Sequence, residues 1–171
     1  NSDDERARDR LRVISDEVLR MECILREYLS FSRPLEDLRP QPVDLAVLVE
    51  EVFGVLDAPA AEAEVGLERT GDHVEILADP RRLKEALFNL VANAIKYSSP
   101  NTEVQVSASA DSYTIFMSVS DQGYGIPPEH RARIFEKFYR VPRVEDADAP
   151  GTGLGLAMVR EIAELHGGRV T

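Results

Sequence analysis

The stretch GTGLGLAMVREIAELHGG, Gly151 to Gly168, constrains this chain most. In it Gly151, Gly153 and Gly155 stand at every second position ahead of an apolar helix. Glycine lowers helix stability and brings no side chain to a core. Glycines so spaced therefore point to a backbone that has to be bare. The N-terminus of a helix presents unpaired N–H groups and the positive end of the peptide dipole, and phosphates bind such places. Here Gly151, Gly153 and Gly155, with Thr152 and Leu154 between them, let the chain approach a polyphosphate without Cβ clashes. The stretch lacks the GK[ST] ending of a Walker A loop and is not a GxGxxG after a strand. Taken alone, it reads equally well as a glycine-rich turn.

Two further sites change that balance. In SDQGYGIP, Asp121 ends an apolar strand and meets Gly123 and Gly125. A carboxylate there can accept a hydrogen bond from an exocyclic amine such as that of adenine, and the glycines, followed by Ile126, let a flat base lie on the backbone. The plainer reading is a β-turn with an Asp cap. In EALFNLVANAIKY, spacings of four put Glu85, Asn89 and Asn93 on one helix face, while Leu83, Leu87, Leu90, Val91 and Ile95 supply the buried side. Asn is a mild misfit inside a helix. Two of them on one face imply a task, such as amide oxygens holding Mg²⁺ or its waters, with Lys96 as a point charge for phosphate. The plainer reading is a solvated polar stripe.

Composition narrows the function classes. The chain has 171 residues, 43% hydrophobic and 30% charged, enough for one core plus an extra element. With 31 acidic against 20 basic residues the net charge is −11, which makes nucleic acid or an anionic membrane a poor partner. Cys23 is the one cysteine, which excludes an internal disulfide and suits a reducing, cytoplasmic setting. No apolar run of about 18 residues is present, and the charged start NSDDERARDR does not read as a signal peptide. A first residue other than Met and an end at GGRVT, which reads as an opening strand, lead us to expect a piece of a longer protein.

Along the chain, Leu11, Ile14, Val18, Met21, Leu25 and Tyr28 form an a/d seam on a helix expected over about 2–31. Such a seam packs either on its own domain or, as the charged flanks favour, in an antiparallel hairpin that dimerises into a bundle. The proline-rich RPLEDLRPQPVD reads as a linker, with a hinge near Arg33 to Pro42. We therefore expect two units, 1–42 and 43–171. Asp44 is placed to cap the helix LAVLVEEVFGVLDAPA, and Asp79 a helix with Pro80 in its first turn, running to Tyr97. VGLERT and HVEILA read as short strands, and TEVQVSASA with YTIFMSVSD as a hairpin around 110–112. RARIFEKFY reads as a short helix, and a strand is expected from Arg169. The fold class is α+β, helices against a mixed sheet.

Taken together and in this order, the motifs resemble the catalytic ATP-binding domain of two-component sensor histidine kinases, within the ATPase superfamily of gyrase, Hsp90 and MutL. ALFNLVANAIKYS looks like the N box, DQGYGIP like the first G box, RIFEKFYR like the F box and GTGLGLAMVREIAELHGG like the second G box. The likeness extends from Val43 to Thr171, and the first helix resembles the second helix of the family's dimerisation and phosphotransfer hairpin. It implies a two-layer α/β sandwich with ATP and Mg²⁺ as cofactors. Asn93 would ligate the metal with Asn89 nearby, and Lys96 and Tyr97 would contact phosphate and nucleotide. Asp121 would read the adenine amine, and Gly123, Gly125 and Ile126 would shape the base pocket. Phe135 and Phe138 would anchor the lid, and Arg140 would reach the γ-phosphate. Gly151, Thr152, Gly153, Leu154 and Gly155 would form the lid's end and the phosphate cradle.

The resemblance also implies a chemistry. In hydrolysing relatives a Glu, four residues before the metal-binding Asn, activates water. Asn89 stands at that position here, an amide without useful basicity, so the γ-phosphate would be preserved for transfer. The family's acceptor histidine lies on the first helix of the hairpin. His73, His130 and His166 do not have that context, and His166 suits a helix-end capping role. The implied function is ATP–Mg²⁺ binding and phosphoryl donation to a histidine elsewhere, for relay to a response regulator, in a parent that dimerises through the helical bundle. The runner-up enzyme reading is a serine or protein kinase of the superfamily, or a hydrolysing member; the alternative of another class is a degenerate kinase acting as a nucleotide-binding or dimerising scaffold.

Overall fold

The structure, a computed structural model, describes residues 38–142 and 151–171, together with Val18, Met21 and Leu25. Its elements are β1 (Gln41–Asp44), α1 (Leu45–Glu62), β2 (Val65–Gly71), β3 (Glu75–Ala78), α2 (Pro80–Tyr97), β4 (Thr102–Ala110), β5 (Ile115–Ser120), α3 (Pro128–Arg131) and α4 (Gly155–Leu165). The seam residues Val18, Met21 and Leu25 are helical and more than half exposed. The rest of the expected first helix lies outside the described residues.

Local chemistry starts the two long helices where the sequence indicates. Asp44 Oδ1 accepts the Ala46 N–H at 2.8 Å, and that bond holds its carboxyl below the usual range. Asp79 Oδ1 accepts from the N–H groups of Arg81 (3.0 Å) and Arg82 (3.4 Å), while Pro80 occupies the first turn. Proline loses nothing there, because the first N–H groups of a helix have no partner within it. The strands then sort into two sheets. β2 pairs with β4 in parallel and β4 with β5 antiparallel, while β1 and β3 form a separate antiparallel pair.

Packing assembles a two-layer α/β sandwich. Val104 and Val106 alternate on the inner face of β4 and meet Val49, Val52 and Leu56 of α1 and Leu87, Val91 and Ile95 of α2. Leu87, Val91, Val52, Val104 and Val106 are wholly buried; each contributes about 1.5–3 kcal/mol. A second cluster joins Ala86 of α2 to Met158, Val159 and Ile162 of α4, with Leu90 packed against it. Thus α2 is the central helix, covered by α1 and the sheet on one side and by α4 on another.

Three expectations are corrected. Gln41 and Pro42, read as linker, belong to β1, paired with Ala78 and Leu77. Proline is tolerated in an edge strand because no ladder bond from its nitrogen is needed. RARIFEKFY is not a helix. After α3 the chain makes successive three-residue turns, with Arg133 N–H bonded to His130 O and Glu136 N–H to Arg133 O. Finally, Arg169 to Thr171 form no strand.

Asp79 is 1% exposed and the only buried charged residue among those described. Burial pushes its carboxyl pKa up, but the N–H groups of Arg39, Arg82 and Arg81 and the Arg81 guanidinium outweigh that and hold it below the usual value. Asp79→Ala should cost about 2–3 kcal/mol, from the lost cap and the orphaned N–H groups. A folded-state pKa below the unfolded one gives stability that is present above the unfolded value and lost as pH falls through the folded one. In urea denaturation Asp79→Asn should therefore cost most at neutral pH and progressively less below pH 3.8. A cost independent of pH would contradict this.

Candidate functional site

The C-terminal half of α2 forms the floor of the site. Asn89 and Asn93 are both half-buried on it. Asn89 Nδ2 donates to the Glu85 carbonyl at 2.9 Å and touches Met158 Sδ at 3.8 Å. That orientation turns Asn89 Oδ1 toward the first turn of α4, where a Cβ on Gly155 would stand only 2.9 Å from it. Glu85 itself pairs with Arg82 at 3.0 Å, one turn back toward the helix start. Beyond Asn93, Lys96 Nζ lies 5.0 Å from the centroid of the Tyr97 ring, a cation–π contact.

The end of α2 is joined to the turn that carries Asp121. Ser98 and Gly123 form an isolated antiparallel bridge. Asp121 Oδ1 accepts the Gly123 N–H at 2.8 Å, folding the turn back on itself. A Cβ at Gly123 would be 2.3 Å from the Tyr97 carbonyl oxygen, so glycine is required for the two backbones to approach this closely. Asp121 remains solvent-exposed at the strand end. Tyr124 and Ile126 are exposed on the same turn, which also carries Gly125, and Arg131 Nε donates to the Ile126 carbonyl at 3.0 Å.

The glycine stretch forms the opposite wall, and its glycines meet different partners. Gly151 lies beside Lys96, with Nζ 3.3 Å from where a Cβ would be, and its carbonyl accepts from Arg140 Nη1 at 3.3 Å. Gly153 has φ +75°, and a Cβ there would stand 2.8 Å from the Phe138 carbonyl carbon and the Tyr139 carbonyl oxygen. Its own carbonyl accepts the Phe138 N–H at 3.1 Å. Phe138 is held at φ +64° although it has a Cβ, a strain of about 1–3 kcal/mol of the kind that collects at functional sites. Leu154, 1% exposed, anchors the wall in the core, and Thr152 Oγ1 accepts its N–H at 3.3 Å. Gly155 then opens α4 against Asn89.

The structure therefore brings Asn89, Lys96, Arg140, Gly151, Thr152, Gly153, Leu154 and Gly155 into one contact system, with Phe138 locked to it. It joins Tyr97, Asp121 and Gly123 at the C-terminal end of α2. Phe135 is half-buried on the turns leading to Phe138. His73, 76% exposed in its side chain, sits 3.6 Å from Asp44 Oδ2, away from this system. His130 pairs with Tyr139 Oη at 2.5 Å on the segment before Arg140.

One Lys and one Arg side chain, Lys96 and Arg140, converge on Gly151 in a chain of net charge −11, next to the N-terminal turn of α4. That arrangement suits an anion. Among the described residues no cluster of three or more His, Cys, Asp or Glu could hold a metal ion. A cation here would draw on amide oxygens together with oxygens of the anion, the usual manner of Mg²⁺. Asn89 and Asn93, one turn apart, fit that donor set.

Sequence reasoning did not anticipate Ser98. Its hydroxyl oxygen is the buried side-chain atom among the described residues that lacks a hydrogen-bond partner, and it sits in the bridge to the Asp121 turn. A serine after a helix end carries no local signal of such a position.

The histidine kinase-, DNA gyrase B-, and HSP90-like ATPase family matches residues 78–171, from the start of α2 through the glycine stretch. Sensor protein IrlS of Burkholderia pseudomallei is 36% identical over 161 residues, which cover 86% of this chain and 34% of that protein. The chain thus spans about a third of that relative's length. Among solved structures, full-length ShkA in complex with AMPPNP aligns with a TM-score of 0.72 at 33% identity, covering 82% of this chain and 30% of that one. Histidine kinase ThkA in complex with response regulator protein TrrA aligns at 0.70 and 29% identity, covering 91% and 43%. The matched region is more than half of the chain and contains the helix floor, the Asp121 turn and the glycine wall: the chain belongs to the histidine kinase-, DNA gyrase B- and HSP90-like ATPase family, as a catalytic ATP-binding domain of the sensor histidine kinase kind.

Proposed function

We propose that this chain binds ATP with Mg²⁺ between α2, the Asp121–Ile126 turn and the glycine stretch. It then donates the γ-phosphate to a histidine on a helix outside this sequence, for relay to a response regulator. The observation that carries the reading is the approach of Lys96 and Arg140 to Gly151 at the same wall where Gly155 presses on Asn89. Cationic side chains, a helix N-terminus and amide oxygens meet there, the set of groups a magnesium triphosphate needs.

Each group has a role in this reading. Asp121 accepts the adenine amine, and Gly123 and Gly125 leave room for the base, with Tyr97 and Ile126 beside it. Asn93 holds Mg²⁺ with Asn89 close by, and Mg²⁺ supplies charge neutralisation on the phosphates. Lys96 and Arg140 bind phosphate oxygens, and Gly151 to Gly155 offer backbone N–H groups. Asn89 cannot act as a base toward water, which favours transfer over hydrolysis. Phe135 and Phe138 anchor the segment that closes over the phosphates. The AMPPNP bound to ShkA and the regulator bound to ThkA support nucleotide and regulator as partners. The half-exposed seam residues Val18, Met21 and Leu25 support pairing with a second copy through the first helix, and we assign the domain to the cytoplasm, where ATP is available.

Isothermal titration with a non-hydrolysable ATP analogue tests the reading. Asn93→Ala should weaken binding about tenfold or more when Mg²⁺ is present and much less when it is absent; equal affinity of variant and parent in Mg²⁺ would remove the metal role. Asp121→Ala should reduce the preference for ATP over GTP by roughly 5–100-fold, the worth of one buried hydrogen bond to a base edge. Equal binding of ATP and GTP by the unaltered chain would refute the adenine assignment.

A further inference from the structure

α4 runs antiparallel to the first half of α2 and is pinned to it at both of its own ends. At one end Gly155, the first residue of α4, abuts Asn89. At the other, His166 caps the end of α4, and its Nε2 accepts the backbone N–H of Asp79, the cap of α2, at 3.1 Å. His166 Nδ1 lies 2.8 Å from the Ile162 carbonyl, which can only accept. These two partners select the neutral tautomer with the proton on Nδ1. Asp79 extends the joint further, because its Oδ2 accepts the N–H of Arg39, just before β1. One buried residue thus gathers the segment leading into β1, the start of α2 and the end of α4.

From this geometry we infer that His166 is a positioning residue for the phosphate cradle. Between the two pins the helices pack mainly through apolar side chains, Ala86 and Leu90 against Met158, Val159 and Ile162, with the Asn89 Nδ2–Met158 Sδ contact beside the Gly155 pin. Apolar contacts are not directional and leave sliding and tilt weakly specified. The bond from Asp79 N–H to His166 fixes the register. At about 1.5 Å per residue, α4 is a lever roughly 16 Å long from His166 to Gly155. A tilt of about 4° at the joint moves Gly155 by ~1 Å relative to Asn89, a misplacement that can cost on the order of 100-fold in a reaction. The base pocket around Asp121 is attached to the opposite end of α2 and does not move with α4.

The inference rests on the nucleotide reading above, and two measurements keep their failures apart. The first is the affinity of a non-hydrolysable ATP analogue relative to ADP, with Mg²⁺, in His166→Phe and His166→Gln. Phe keeps a ring and removes the acceptor; Gln can return an oxygen near the position of Nε2. We expect the analogue-to-ADP affinity ratio to fall roughly tenfold in His166→Phe, the effect of one lost hydrogen bond, and to recover in His166→Gln. An unchanged ratio in His166→Phe, an equal loss for both nucleotides, or no recovery in His166→Gln would overturn the positioning role. The second is the ¹⁵N spectrum of the histidine rings without nucleotide. We expect His166 as the Nδ1–H tautomer; the Nε2–H tautomer would overturn the joint itself. If the unaltered chain bound neither nucleotide, the reading of the cleft would fall and the cradle role with it, while the ring spectrum would still report on the joint.

Discussion

The approach of α4 to α2 at Gly155 is the constraint on which the rest of the site depends. A side chain at that residue would strike Asn89 Oδ1 at 2.9 Å, so the helices are as close as backbone and amide allow. This contact sets the glycine stretch over the polar face of α2. It does so in a chain whose main core, between α1, α2 and the sheet, lies on the other side of the same helix. Because α2 is buried on its Leu87 and Val91 face, its Asn89 and Asn93 face cannot rotate without breaking that core. The site's floor therefore inherits the rigidity of the core, while its opposite wall is held by a smaller cluster and a few directional contacts.

That division has consequences for motion. The wall that carries Asp121 is tied by a β-bridge and by a glycine packed on the Tyr97 carbonyl, contacts made by backbone. The glycine wall is tied through one hydrogen bond between Phe138 and Gly153 and by the Arg140 guanidinium, with Lys96 Nζ beside Gly151. Phe138 is kept in a left-handed conformation by those ties. A residue in such a state returns to ordinary backbone angles once its ties are released. The described turns between α3 and Arg140 are thus held to the glycine wall by few contacts, whereas the Asp121 turn is held to α2 through backbone.

Much of this was legible in the sequence because the signals are local. Asp44 and Asp79 followed by helix-compatible residues, Pro80 in a first turn, and alternation in TEVQVSASA each act within a few residues, and the elements appear where they indicate. The polar face of α2 was legible for the same reason: the period of the helix brings Asn89 and Asn93 together. What was not legible depends on partners far along the chain. Pro40 and Pro42 carry the composition of a linker, yet β3 supplies a strand partner that an edge proline does not disturb. RIFEKFY has the pattern of an amphipathic helix, but the bond from Phe138 to Gly153 draws it into turns instead. His166 and Asp79 are 87 positions apart, and neither type of residue in isolation announces the other.

The glycine stretch unites the two cases. Its composition declared that backbone had to be bare, a local statement, but left the reason open between phosphate and a simple turn. The three-dimensional answer is that two of the glycines are bare toward protein. Gly153 makes room for the Phe138–Tyr139 backbone, and Gly155 makes room for Asn89. Packing against protein and cradling an anion are not competing explanations. A cradle made of N–H groups presents them usefully only if the carbonyl and Cα side of the same residues is fixed, and fixing it closely excludes a Cβ there too. The alternation of glycines suits that packing: a residue between two such positions, such as Leu154, can turn its side chain into the core and hold the wall in place.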